Sequence, residues 1–185
     1  MAEENDIYRD GLSVYFYDQI NQSSAIKLIQ ELTLAQEHSA SMYSSLGIFP
    51  KIKLHINSNG GTVKDSFSIS NFIKNNIKIP IDTYVDSFCA SGATFISLSG
   101  NTRYMNKNSL ILIHQLSGGL WGNHEKMKGD VKMQKVEMDM MRDFYINHTS
   151  IKKKRLNKIL KKDQWLDYKF CLKYNLVDEV LGLGD

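Results

Sequence analysis

Ser91 stands among small residues in Cys89-Ala90-Ser91-Gly92-Ala93, His114 closes the apolar run Leu110-Ile111-Leu112-Ile113, and Asp163 lies in Lys162-Asp163-Gln164-Trp165. A hydroxyl, an imidazole and a carboxylate are what a serine hydrolase needs: a nucleophile, a base for its proton, and an anion that fixes the base's tautomer. The reaction also needs donors for an oxyanion. Asn57-Ser58-Asn59-Gly60-Gly61 ends another apolar run in a glycine turn whose backbone N–H groups can approach a carbonyl closely. Each part alone has a plainer explanation, because a serine between small residues packs helices and a histidine after Ile-Leu-Ile ends a strand. Their joint occurrence in the order Ser, His, Asp favours the chemistry, since triads are defined by geometry and role rather than chain order. Asp167 and Asp178 also follow His114 and are alternative orienting carboxylates, and Cys89 is an alternative nucleophile whose apolar neighbours make it a small buried hydrophobe instead. His38, His55, His124 and His148 form no metal-ligand spacing, so neither metal nor cofactor is expected.

These groups can act together only if the elements that carry them converge. Leu12–Tyr17, Lys51–Asn57, Ile79–Val85 and Ser109–His114 read as strands, and Ser23–Glu37 and Val63–Asn75 as helices. Ser23 or Ser24 can cap the first helix, with Ile26, Leu28, Ile29, Leu32 and Leu34 on its apolar side; Phe67, Ile69, Phe72 and Ile73 turn inward from the second. Ser39–Gly47 reads as a polar surface loop. A helix over Ser91–Ser99 would open at the nucleophile, where unpaired N–H groups and the positive dipole end favour negative charge. The β–α alternation predicts an α/β fold with parallel strands and right-handed crossovers.

At 185 residues, 42% of them apolar and with no Pro/Gly/Ser-rich linker, the chain is expected to form one domain over residues 1–185. The net charge of +3 is small, and the basic residues concentrate in Lys152-Lys153-Lys154-Arg155, Lys158, Lys161 and Lys162 with Ile151, Leu156, Ile159 and Leu160 interleaved. Such a run is most often the solvated face of an amphipathic helix, with nucleic-acid or anionic-membrane contact the minority reading. Neither nucleic acid nor membrane is the expected partner. With no signal peptide and no apolar stretch of roughly 20 residues, the chain is expected in the cytoplasm or an organelle stroma with its thiols reduced.

The motifs resemble those of the proteolytic subunit of the caseinolytic (Clp) protease. That family's I-N-S-P-G-G stands here as Ile56-Asn57-Ser58-Asn59-Gly60-Gly61, its nucleophile turn as Ser87-Phe88-Cys89-Ala90-Ser91-Gly92-Ala93-Thr94, and its P-N-S-x-x-M-I-H-Q-P as Lys107 to Leu116. Gly118-Gly119-Leu120-Trp121-Gly122, His148-Thr149 and Lys162-Asp163-Gln164-Trp165 are similar to its G-G-x-x-G, H-T-G and R-D-R-F. The likeness runs from about Asp6 to Val180. It implies a crotonase-like superhelix of stacked β-β-α units with a protruding handle helix, and a peptidase in which Ser91, His114 and Asp163 form the triad. The N–H groups of Gly61 and Gly92 would then be the oxyanion donors. An extended substrate, a peptide or unfolded protein, would lie between Gly61-Thr62-Val63 and Leu116-Ser117-Gly118, paired through its main chain with little sequence selectivity.

On composition alone Gly129–Tyr145, with Val131, Met133, Val136, Met138, Met140, Met141 and Phe144, is an ordinary amphipathic core helix. The resemblance instead makes it the handle that pairs heptameric rings, so a homo-oligomer of two stacked rings is expected, with a Clp-type AAA+ unfoldase as the partner class. Several positions depart from the family. Only Met1–Asn5 precede Asp6, which implies a short axial gate; Lys53 and His55 replace aromatic residues of the docking pocket, which implies weak docking; Gly92 replaces Met, Asn59 Pro, Ser150 Gly and Lys162 Arg. Two other readings are a catalytically weak paralogue acting as a structural ring subunit, and a crotonase-like acyl-CoA enzyme, which has no general need of a Ser–His–Asp set.

Overall fold

The computed structural model describes residues 6–119 and 121–183. Met1–Asn5, on which the expected short gate rests, lie outside these, as does Leu120 of the glycine-rich stretch.

One mixed sheet carries the site. β1 (Ile7–Asp10) and β2 (Ser13–Phe16) form an antiparallel hairpin, and β3 (Ile52–Ser58) and β4 (Ile81–Ala90) follow in parallel with β2. β4 then divides its partners. Asp82–Val85 pair with β5 (Thr102–Asn106), whereas Phe88–Ala90 pair with β6 (Leu110–Ile113), both in parallel. β7 (Gln164–Leu166) pairs antiparallel with β6, and β8 (Glu179–Leu181) extends the sheet beyond β5. The parallel expectation therefore fails at β1–β2 and β6–β7, the former a hairpin closed at Gly11, whose φ is 57°. β4 runs past its expected end at Val85 because buried Cys89 and Ala90 find partners in Ile111 and Leu112.

α1 spans Gln22–Leu46, so the expected loop at Ser39–Gly47 is helix up to its last residue. Polarity misleads there because Ser39 is fully buried and its hydroxyl donates to the Pro50 carbonyl at 2.6 Å, which satisfies it inside the helix–strand junction. Gly47, at φ 68°, ends the helix with its N–H on the Tyr43 carbonyl. The cap is Asn21 rather than Ser23 or Ser24, and Ser24 closes a reciprocal capping box with it. The buried stripe is Ala25, Leu28, Leu32, Ala35 and Ser39, leaving Ile26 and Leu34 exposed.

α2 (Val63–Asn75) has the expected limits and packs Ile69 and Ile73 into the core, with Phe67 and Phe72 partly buried against it. α3 (Ala93–Ser97) is short and wholly buried, starting later than Ser91. α4 spans His124–His148, α5 Lys153–Leu160 and α6 Tyr168–Lys173. Nothing in α4 is buried before Met141, and Val131, Met133, Val136 and Met140 are all about half exposed or more. Only its C-terminal end joins the core, through Met141 and Tyr145, so most of the helix projects from the body.

One face of the sheet carries a ladder of rings. Tyr8, Tyr15, His55, Tyr84 and Tyr104 stack across five strands at centroid separations of 4.7 or 4.8 Å. Asp86 holds the ladder's middle, contacting His55 Nδ1 at 3.0 Å and accepting from the Tyr17 hydroxyl at 2.6 Å. Burial first, then this hydrogen bond, pushes the Tyr17 phenol upward. Lys53 is exposed, without a place in the stack.

Candidate active site

The divided strand brings the candidate residues to one edge. Ser91 follows β4 directly, and its N–H donates to the Leu112 carbonyl of β6 at 2.9 Å. His114 follows β6, and the next N–H, that of Gln115, is held by the Leu160 carbonyl at 2.9 Å. The β6–β7 ladder ends with Ile113 facing Gln164, and His114 and Asp163 are the residues that adjoin this last pair. Ser91 and Asp163 both have left-handed backbones, at φ 55° and 45°. For non-glycine residues that conformation is held by its surroundings.

Two hydroxyls hold the Ser91 turn from beneath. Thr94 Oγ1 donates to the Ser91 carbonyl at 2.6 Å, and the Tyr145 hydroxyl lies 2.6 Å from Thr94 Oγ1. Thr94's single proton is committed to Ser91, so Tyr145 is the donor in the second bond. Tyr145 is fully buried, which pushes its phenol upward and keeps that proton in place. Phe95 stacks on Phe67 at 4.7 Å and meets Phe144 and Tyr145 at 5.1 and 5.3 Å, locking α2, α3 and the base of α4 together under the turn. A tyrosine at the end of a Met-rich helix carries no sequence signal of this role.

The glycine turn packs against the same point. A Cβ on Gly60 would lie 2.5 Å from the Ala90 carbonyl oxygen and 2.7 Å from Ser91 Cβ; one on Gly61 would lie 1.9 Å from the Ile20 carbonyl oxygen. Both close approaches require glycine. Ile20 donates to the Gly60 carbonyl and accepts from Thr62 N–H, so the N–H of Gly61 points away from Ile20. Buried Ser58 secures the turn, donating to the Asp18 carbonyl and accepting from Gly60 N–H. Gly92 precedes the first α3 residue, and a Cβ there would fall 2.1 Å from Ser66 Oγ, which donates to the Thr62 carbonyl. A polar cavity of about 420 Å³ opens beside this turn, lined by Tyr17, Asp18, Asn57, Asn59 and Phe88 among others.

The segments expected to hold substrate flank the site. Thr62 N–H is already taken by Ile20, Val63 begins α2, and Leu116 N–H lies 3.1 Å from Met138 Sδ of α4. Ser117 and Gly118 are exposed. No side-chain hydrogen bond joins Ser91, His114 and Asp163 among the described residues. Catalytic bonds of this kind are often long before substrate is bound. The competing residues have other tasks: Asp167 caps α6 by accepting Phe170 N–H at 2.9 Å, and Asp178 holds Arg103. Cys89 is fully buried, and desolvation pushes its thiol up to about 12, far from a nucleophile's range.

No helix of the described residues is long and apolar enough to cross a membrane. The family model of the Clp protease matches residues 5–183. The Clp proteolytic subunit of Streptococcus mutans is 32% identical over 142 residues, which cover 70% of this chain and 68% of that subunit. That of Deinococcus radiodurans is 29% identical over 133 residues, covering 71% of this chain but 65% of the relative, so the match spans slightly under two thirds of its length. A solved mutant of ClpP1 from Listeria monocytogenes superposes with a TM-score of 0.78 at 23% identity, over 93% of this chain and 92% of that one, which extends the likeness to the α/β fold. By the family model and by its identity with the S. mutans subunit, this chain belongs to the Clp protease family.

Proposed function

We propose that the chain is a serine endopeptidase subunit that cleaves peptides and unfolded proteins inside a ring chamber. Ser91 Oγ attacks the scissile carbonyl as His114 takes its proton, and Asp163 holds the imidazole and stabilises the imidazolium. The oxyanion is received by the N–H groups of Gly61 and Gly92. His114 then returns the proton to the leaving amine, and water, activated by the same imidazole, hydrolyses the acyl-enzyme. Substrate lies extended between Gly61-Thr62-Val63 and Leu116-Ser117-Gly118. The observation that supports this reading most is the convergence of strand ends: Ser91 bonded to Leu112, and a β6–β7 ladder whose last pair, Ile113 and Gln164, adjoins His114 and Asp163.

The apolar side chains exposed along α4 favour pairing of rings into a double heptamer, since such a surface is a liability on a free monomer. The Clp-type AAA+ unfoldase expected as partner meets Lys53 and the paired His55 and Asp86 where the family offers a more apolar pocket, so docking is weak. One observation favours the second reading, a structural ring subunit of low activity: the absence of any hydrogen bond linking the three triad side chains. A fluorophosphonate probe separates the two. Single-site acylation of the wild-type protein, lost in Ser91→Ala, supports the peptidase; an unlabelled wild-type particle that assembles normally supports the structural subunit. Native mass spectrometry of wild type and Val136→Asp reads the assembly, and the variant is expected to dissociate it. Degradation of a folded substrate with and without a Clp-type ATPase reads the docking, and robust ATP-dependent digestion would contradict weak docking.

A further inference from the structure

The basic run singled out in the sequence forms one wall of a cavity of about 420 Å³, which borders the catalytic edge through Lys162 and Gln164 on either side of Asp163. Lys152, Lys154, Arg155, Lys158 and Lys162 line it, and no carboxylate does. From Lys152 to Lys162 the chain contains no Asp or Glu, and none of the five cations makes an ion pair among the described residues. No opposite charge within the run offsets these cations. Like charges three and four residues apart instead repel by a few tenths of a kcal/mol per pair, a cost that a bound counter-charge removes.

Arg155 is held in a particular way. Its guanidinium carbon lies 4.7 Å from the Tyr174 ring centroid and 5.3 Å from that of Phe170, and its side chain makes no hydrogen bond among the described residues. Stacking on rings fixes the guanidinium plane and leaves its N–H fork free for a bidentate oxyanion. Ile159 and Phe170 give the cavity an apolar wall. The charges converge on one concavity rather than forming a stripe along an extended surface, which suits a compact polyanion better than a nucleic-acid strand.

We propose that this cavity binds a compact polyphosphate, Arg155 gripping one phosphate and the surrounding lysines neutralising the rest. The shared chemistry is a run of linked phosphates, whether free or carried by a nucleotide.

Isothermal titration of the full-length protein with inorganic tripolyphosphate, with ATP and with adenosine tests it, in low-salt buffer and again with added salt. Saturable binding of tripolyphosphate at one site per chain, weakened by salt, is expected. Equal affinity for ATP assigns recognition to the phosphates alone, and tighter ATP binding adds the Ile159 and Phe170 wall; adenosine does not bind in either case. Lys154→Gln with Lys158→Gln is expected to weaken binding at least tenfold while circular dichroism is unchanged, and Lys132→Gln with Lys135→Gln on α4 leaves it intact. Arg155→Lys, which keeps the charge but loses the fork, weakens binding by severalfold. Absence of saturable binding, equal weakening by the α4 pair, or tighter binding of a single-stranded oligonucleotide than of tripolyphosphate overturns the proposal.

Discussion

Tyr145, on the projecting helix, donates its buried hydroxyl to Thr94, whose own proton goes to the carbonyl of Ser91. The base of the helix and the candidate nucleophile are thus two hydrogen bonds apart. Tyr145→Phe leaves Thr94 Oγ1 without its donor and is expected to cost about 1–2 kcal/mol of stability. Because the Ser91 turn loses support, kcat on a short fluorogenic peptide should fall severalfold with KM little changed. Unaltered kcat at unaltered stability would show that the chain of hydroxyls does not steady the turn.

Asp163 and Asp167 are separated by a β-strand and by role. Asp163→Asn is expected to lower kcat by about 10³–10⁴-fold while the particle stays assembled, as loss of a triad carboxylate does. Asp167→Asn should be nearly silent in both activity and stability, since asparagine caps a helix as well as aspartate does. The reverse pattern in steady-state kinetics would assign the orienting role to Asp167.

Acid should weaken the fold in two steps, both centred on Arg103. Its guanidinium donates to Asp178 and to the His148 carbonyl. Burial, with Lys74 and Arg103 nearby, holds the His148 imidazole below the ordinary histidine value, against the raising effect of its bond to the Phe144 carbonyl. The unfolded chain therefore binds a proton more readily at this site, and stability present at neutral pH declines as pH falls below about 6.5 toward the folded value. Asp178 is held below the usual carboxylate range, chiefly by its side-chain bond to Arg103, so its contribution stands above pH about 4 and is lost as pH falls further. Urea midpoints measured between pH 8 and 3 should show both declines; His148→Gln should flatten the first, and Asp178→Asn the second.

Gly92 replaces a family methionine, and Ser66 Oγ occupies the space a Cβ would need. Gly92→Ala alone is expected to destabilise by about 1–3 kcal/mol, the range for an overpacked interior. Adding Ser66→Ala should recover part of that loss, because the hydroxyl oxygen is the nearest obstacle. A double-mutant cycle of thermal or urea unfolding reads the coupling, and strict additivity would disprove it.

Long periodic elements and the candidate site's motifs were legible in the residues. The limits of α2 follow from Phe67, Ile69 and Ile73, and the placement of His114 at a strand end follows from the apolar run Leu110–Ile113 that stops beside it. Continuation of α1 through Ser39–Leu46 was hidden because it depends on a tertiary acceptor, the Pro50 carbonyl. Strands as short as Gln164–Leu166 have too few residues to show a period, and the support of Ser91 by Tyr145 joins side chains 54 positions apart. Neither leaves a local trace.

Because β4 serves β5 with its first half and β6 with its second, its length is a gauge. Tyr84 stands in the ring ladder and Ser91 at the candidate site, seven positions later and just past the end of the same strand, a path of at most roughly 23 Å at the usual rise per residue. The path contains no loop, and its one irregularity lies between Val85 and Cys89, where β4 holds two more residues than the facing stretch Ile56–Ser58 of β3. A single insertion between Asp82 and Val85, outside that bulge, would turn the side chains on one side of it to the opposite face and break the register with β3 and β5. The Gly47–Lys51 connection carries no such restriction. Length variation in this chain's lineage should therefore gather in surface connections of that kind and be absent from Ile81–Val85.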